Sequence, residues 1–313
     1  MNLLTSSIMC LMISSWFTVW LFLEINTLSF CSVMKFNTSM EKKKFPEMIM
    51  KYFIIQSIAS SMLIMMSMLM KDFSNLSLIF MIMIMSLMVK MASSPFHEWF
   101  IDMTKKLTRK NATILMTWQK LAPVYLLIYM SKVMIFPFII LSIVMSAPLQ
   151  MNKKNMMEIM AISSVFNLGW MMAGILLSTK LFFLFICVYW LSVIMAMFLI
   201  FKNNQHSLNL EPKSSKEKMV NLSIMANLAG LPPFMGFLAK WMLLSEYMKI
   251  NMYTVILMLL VLSSINFYIY LRMMSGYVSI NMKKMPKEIN VMNKFYLMLI
   301  IILNSLTLLM MSM

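Results

Sequence analysis

Residues 76–100 read LSLIFMIMIMSLMVKMASSPFHEWF. The first fourteen residues are apolar apart from two serines, which suits hydrocarbon. Lys90 then stands at the end of the run, and Pro95 follows five residues later. Proline removes a backbone donor and clashes with the preceding turn, so a helix entering this stretch must break. A lysine beside a break inside an apolar helix is costly unless it faces a bundle interior or a wet cavity. The stretch therefore predicts a discontinuous membrane helix carrying an ionisable group.

The same character runs outward along the chain. Of 313 residues, 61% are hydrophobic and only 12% charged, whereas soluble domains carry about a quarter charged residues. Apolar stretches recur at lengths that span a bilayer as helices. They are continuous rather than alternating, which excludes a β-barrel. The sequence predicts an all-α polytopic membrane protein with about eleven transmembrane helices. They are placed at 3–20, 22–35, 46–70, 76–101 (interrupted), 111–130, 132–149, 155–177, 180–201, 218–248 (interrupted), 252–276 and 292–312.

The net charge of +16 belongs to loop lysines and gives no reason to expect nucleic acid. Twenty basic residues fall after even-numbered helices, among them Lys42–Lys44 and Lys213–Lys218, and four after odd-numbered ones. The positive-inside rule then puts the N-terminus and the even loops on the inner, matrix-like side, and the C-terminus outside. Cys10, Cys31 and Cys187 are isolated and read as buried thiols, without a metal or a disulfide framework. No phosphate loop, zinc-protease or nucleophile-elbow motif occurs. The 46 Met against 5 Gly suggest an A/T-rich gene read with a mitochondrial code. The first thirty residues hold no Lys or Arg, so no cleaved import sequence is expected.

Three basic residues remain, Lys90, Lys120 and Lys240, all inside apolar helices. Glu24 lies likewise in VWLFLEINTLSF. An ionised group at mid-membrane costs about 2.5–3.5 kcal/mol on insertion scales, and such groups usually mark an ion or proton path. The plainer alternative is a lysine that snorkels to the interface or pairs statically with a carboxylate. A second break is expected at NLAGLPPFMGF (227–237), with Pro232 and Pro233, just before Lys240. Each break then falls in the fourth helix of a five-helix half. Because five is odd, the halves run in opposite directions across the membrane. The expected organisation is a single transmembrane domain with a first repeat over about 1–130, a second over about 131–276, and a C-terminal helix over about 292–312. Broken helices at matching positions of inverted repeats point to a conducting site. Lys120 shares a helix face with Pro123; Trp118 and Gln119 are candidate lining residues, with ordinary packing an equal reading for Trp118. His97, after Pro95, suits a proton relay or a plain interfacial role. Glu98, Asp102 and Glu246 read as solvated.

The blocks FLEINTLSF, KYFIIQSIASS, MASSPFHEWF, TWQKLAP, ISSVFNLGWMM and LAGLPPFMGFLAKWMLL, in this order, resemble the antiporter-like membrane subunits of respiratory complex I. The resemblance covers about 16–274. It implies a proton path through Glu24, Lys90, Lys120 and Lys240. It also implies an inner mitochondrial membrane location among other membrane-arm and accessory subunits. NADH, FMN, iron–sulfur clusters and ubiquinone would belong to those partners, with no cofactor on this chain. Two departures stand out. Asn167 occupies a position where many relatives have His, and Met157–Glu158 replaces a basic pair, read as a change of inner-surface charge. The competing readings are a stand-alone cation/proton antiporter of related fold and a structural spacer that has lost conduction.

Overall fold

The computed structural model describes residues 2–36, 45–70, 76–203, 215–232 and 234–279. The expected C-terminal helix over 292–312, Pro233, Lys42–Lys44 and Lys213 lie outside the described residues. All regular structure among the described residues is helical. In chain order it comprises α1 (Asn2–Met12), α2 (Trp16–Phe36), α3 (Phe45–Leu69), α4 (Leu76–Met91), α5 (Glu98–Lys106), α6 (Arg109–Met116) and α7 (Trp118–Leu126). A 3-10 turn (Leu127–Tyr129) follows. Then come α8 (Lys132–Met151), α9 (Met156–Leu177), α10 (Thr179–Asn203), α11 (Ser215–Ala229), α12 (Met235–Lys249) and α13 (Tyr253–Ser279).

Six of the described helices, α2, α3, α8, α9, α10 and α13, are long and apolar enough to cross a membrane. Most keep a large apolar outer face, including Met50, Ile54, Ile58, Met62 and Met65 along α3. In a bilayer such a face needs no protein cover, because lipid tails are as apolar as leucine. The same reasoning corrects the expectation of three buried thiols. Cys10 is buried, but Cys31 is only half-buried and Cys187 is exposed. By contrast, α9 is buried along almost its whole length.

Two helix boundaries differ from the sequence expectation. The first helix stops at Met12, and α2 starts at Trp16 rather than 22. Ser15 stands at the cap position: its carbonyl accepts the first bond of α2, from the Val19 N–H at 3.0 Å, and its side chain meets the Thr18 hydroxyl. The helix expected over 111–130 is also broken. It splits at Thr117, where the Lys120 N–H turns to the Thr117 carbonyl at 3.2 Å. Pro123, inside α7, cannot supply a donor to the Gln119 carbonyl.

Both expected breaks are present, and they share one hydrogen-bond pattern. At the end of α4, Ser93 N–H donates to Met88 O at 3.1 Å and Ala92 N–H to Val89 O at 3.2 Å. At the end of α11, Leu231 N–H donates to Ala226 O and Gly230 N–H to Asn227 O, both at 3.1 Å. Each is a Schellman cap, with the left-handed residue at Ala92 (φ 59°) or Gly230 (φ 79°). Three residues after Ser93 and Leu231, the N–H groups of Phe96 and Phe234 close matching turns at 2.8 Å. Proline then keeps either helix from resuming in register.

The chain forms two compact units, Met1–Met145 with Ser164–Leu176, and Ser146–Ser163 with Leu177–Met313. Within the first unit, Lys51 on α3 pairs with Asp102 on α5 at 2.9 Å, and Lys132 Nζ donates to the Leu176 carbonyl at 3.1 Å. In the second, Arg272 donates to the carbonyls of Met151 at 3.0 Å and Lys153 at 3.4 Å.

Candidate functional site

The first unit gathers three of the four expected ionisable residues. Lys90, on the last turn of α4, is 6% exposed, and Lys120, on α7, is 3% exposed. Both line a cavity of about 20 Å³, together with Asn26, Thr27, Tyr52, Gln56 and Gln119. That is room for a water molecule, and the polar lining supplies the partners a water requires.

The two lysines differ sharply. Lys120 Nζ donates to Ser164 Oγ at 2.8 Å and to the Ser164 carbonyl at 3.2 Å. It also sits over the Phe100 ring, 4.6 Å from the centroid, where the ring face attracts a cation. Lys90 Nζ is buried with no hydrogen-bond partner. Glu24, on α2, lies within electrostatic reach of Lys90. Its carboxylate is nevertheless held by other groups: Oε1 accepts the Ser60 hydroxyl and Oε2 the Thr27 hydroxyl at 3.4 Å. Hydroxyl donors, and not the Lys90 ammonium, hydrogen-bond the Glu24 carboxylate.

Helix α3 joins these parts. Tyr52, Gln56 and Ser60 are buried and four residues apart, which puts them on one face. Ser60 meets Glu24, and Gln56 Nε2 donates to the Lys90 carbonyl at 3.3 Å. The Tyr52 hydroxyl donates to Gln119 Oε1 at 3.4 Å, and Gln119 Nε2 donates to Asn26 Oδ1 at 3.2 Å. Gln119 is thus a lining residue, as expected. Trp118 is not: its indole N–H reaches Ser7 Oγ at 2.8 Å on α1. Sequence reading gave no role to Tyr52, Gln56, Ser60, Asn26, Phe100 or Ser164. A signal for the first three was present, polar side chains at every fourth position, 52, 56 and 60, of a mostly apolar helix.

His97 is buried in the turn after the α4 break, its Nδ1 3.2 Å from the Pro95 carbonyl and 3.3 Å from Ser94 Oγ. Pro95 itself is exposed. Asn167 is buried on α9, one turn beyond Ser164 and on the same face. Asp102 lies midway along α5, paired with Lys51, and Glu246 lies in the last turn of α12, paired with Lys249 at 2.6 Å. The Lys51 hydrogen bond, with Lys105 and Lys106 nearby, holds the Asp102 carboxyl below its ordinary range. Glu158 departs from its expected surface place. It is buried in the first turn of α9, accepting from Asn155 at 2.7 Å, with Lys153 at 3.6 Å. A carboxylate there is favoured by the N-terminal end of the helix dipole.

In the second unit, Lys240 on α12 is 9% exposed. Its ammonium lies against the break: a Cβ on Gly230 would stand 3.1 Å from Lys240 Nζ. Asn227 closes the gap between the two half-helices. Its Oδ1 accepts the Gly236 N–H at 2.8 Å, and its carbonyl comes so near that a Cβ at 236 would lie 2.1 Å away. Pro232 is exposed at the same turn.

Residues 14–266 match the family model described as NADH:quinone oxidoreductase/Mrp antiporter, transmembrane. The chain is 32% identical to NADH-ubiquinone oxidoreductase chain 2 of Anopheles gambiae, over 87% of this chain and 82% of that one. It is 31% identical to the chain 2 protein of Bos mutus grunniens, over 95% and 91%. The chain belongs to the NADH-ubiquinone oxidoreductase chain 2 family. Its fold is also that of a chain of the Thermus thermophilus respiratory complex I, with TM-score 0.77 at 19% identity over 94% of this chain and 73% of that one. A chain of the Mrp complex from Dietzia has TM-score 0.74 at 14% identity, over 83% and 56%.

Proposed function

We propose that this chain is a proton-translocating membrane-arm subunit of NADH:ubiquinone oxidoreductase, moving protons through Glu24, Lys90, Lys120 and Lys240. The observation that carries this is the pair of buried lysines on one water-sized cavity, Lys90 with no hydrogen-bond partner and Lys120 anchored by Ser164. A purely structural spacer would be more stable with leucine at such positions. NADH, FMN, iron–sulfur clusters and ubiquinone are assigned to partner subunits, which supply the driving force. His97 and Asn167 are placed beside the path.

The eleven-helix count and the inverted repeats over about 1–130 and 131–276 belong to the same proposal. The matched Schellman caps at Ala92 and Gly230 support them. The chain is placed in the mitochondrial inner membrane, among other membrane-arm subunits, with the even loops towards the matrix.

Lys90→Met, Lys120→Met and Lys240→Met should each abolish or sharply reduce proton pumping by the assembled complex. Electron transfer from NADH to an artificial acceptor at the partner sites should survive. Parental pumping in all three variants would reject the reading. The purified chain alone, reconstituted in vesicles, should neither oxidise NADH nor exchange cations. Exchange by the chain alone would favour a stand-alone antiporter.

A further inference from the structure

The polar face of α3 touches the proposed path in order. Ser60 holds the Glu24 carboxylate, Gln56 holds the backbone of Lys90, and Tyr52 holds Gln119, the residue beside Lys120. Eight residues of helix rise about 12 Å, so one rigid element spans this distance. All three side chains are buried, and a buried hydrogen-bonding side chain in an apolar helix is costly unless its contacts are used. Ordinary packing against lipid or protein would be served by Ile, Met, Leu or Phe, which make up most of α3; its other serines, Ser57, Ser61 and Ser67, turn back to carbonyls of the same helix, whereas Tyr52, Gln56 and Ser60 reach other helices.

We propose that Tyr52, Gln56 and Ser60 form a positioning ladder on α3 that fixes the transfer route from Glu24 past Lys90 to Lys120, with Tyr52 orienting the water that carries the proton between the two lysines. This rests on the reading under Proposed function. The Tyr52 hydroxyl spends its hydrogen on Gln119 Oε1, and Gln119 Nε2 is spent on Asn26. The phenolic oxygen keeps a lone pair to accept from a water in the cavity it lines. That water accepts from Lys90 and gives one O–H to Tyr52, leaving its other O–H for Lys120. In the transfer an N–H bond of the Lys90 ammonium breaks and a bond to the water oxygen forms. The water's O–H towards Lys120 breaks as the neutral amine of Lys120 takes that proton. Lys90 is left neutral, Lys120 charged, and the water restored. Gln56 and Ser60 act one and two turns away, keeping the α4 terminus and the carboxylate in register.

The test uses the assembled complex in proteoliposomes, with pumping normalised to NADH–acceptor activity of the same preparation so that poor assembly cannot imitate a defect. Tyr52→Phe removes one oxygen, and Gln56→Leu removes the amide. Each should lower pumping about threefold to tenfold, the rate equivalent of one lost hydrogen bond. The solvent deuterium isotope effect on pumping should rise in Tyr52→Phe, which a packing role would not cause. Ser60→Thr, which keeps the hydroxyl, should recover most of what Ser60→Ala loses. Parental pumping and isotope effect in both Tyr52→Phe and Gln56→Leu, while Lys90→Met abolishes pumping, would overturn the ladder and leave the path. Parental pumping in Lys90→Met would overturn the path itself.

Discussion

At the residue scale, what matters about Lys90 is that it is a lysine. An ammonium can give up its proton and take it back, whereas a guanidinium stays charged. Lys90→Arg should therefore fail to pump although it keeps the positive charge, and NADH–acceptor activity should persist. Arg is also bulkier, and a cavity of about 20 Å³ gives it little room. Fully coupled pumping with Arg at 90 would make Lys90 a static charge and end its role as a carrier. Asn167 poses the reverse case. An amide donates and accepts hydrogen bonds but does not titrate near neutral pH. It lies on the face of α9 that offers Ser164 to Lys120. If Asn167 only supports water there, Asn167→His should leave the pumping rate nearly unchanged. A large gain on restoring the imidazole would show that the path through this chain is interrupted at that position.

At the element scale, the two broken helices end in the same cap with different residues at the left-handed position. Gly carries φ 79° at 230 without steric cost, while Ala92 adopts φ 59° with its Cβ in place. A left-handed L-residue costs roughly 1–2 kcal/mol, and glycine's extra unfolded-state freedom takes back about 0.5–1. Ala92→Gly should thus raise thermal stability slightly or leave it level. Gly230→Ala should lower it, and should also disturb pumping, because the new methyl would meet Lys240 Nζ at 3.1 Å. An unchanged melting temperature and pumping rate in Gly230→Ala would refute this account of the break. Both breaks were legible in the sequence because Gly and Pro act locally. The split at Thr117 was not, since Pro123 lies six residues downstream and the α7 start is set by a tightened turn. The Ser14–Ser15 pair was a cap signal hidden between two apolar runs. The lysines were legible as misfits in apolar helices. The Lys120 partners Ser164 and Phe100, and Tyr52 on the shared cavity, were not, because each comes from a different helix and its role exists only after packing.

At the scale of the whole molecule, orientation turns on a single helix whose two ends can be told apart. Lys132 begins α8 and is tied to the end of α9 at Leu176, while Lys153 and Lys154 follow the other end. Twenty residues of helix rise about 30 Å, the thickness of the hydrocarbon core, so these ends belong on opposite sides. On the proposed orientation, the basic-rich end faces the matrix. Lys153, Lys154 and Arg272 share the basic-rich end, with Arg272 bonded to the Met151 and Lys153 carbonyls. Basic residues near short loops stay on the side of synthesis. In mitochondria stripped of their outer membrane, a membrane-impermeant maleimide should label Lys132→Cys and not Lys153→Cys. Opening the inner membrane should expose Lys153→Cys as well. Labelling of Lys153→Cys before opening, with Lys132→Cys protected, would invert the chain. Proton uptake and release would then have to be assigned to opposite ends of the path through Glu24, Lys90, Lys120 and Lys240.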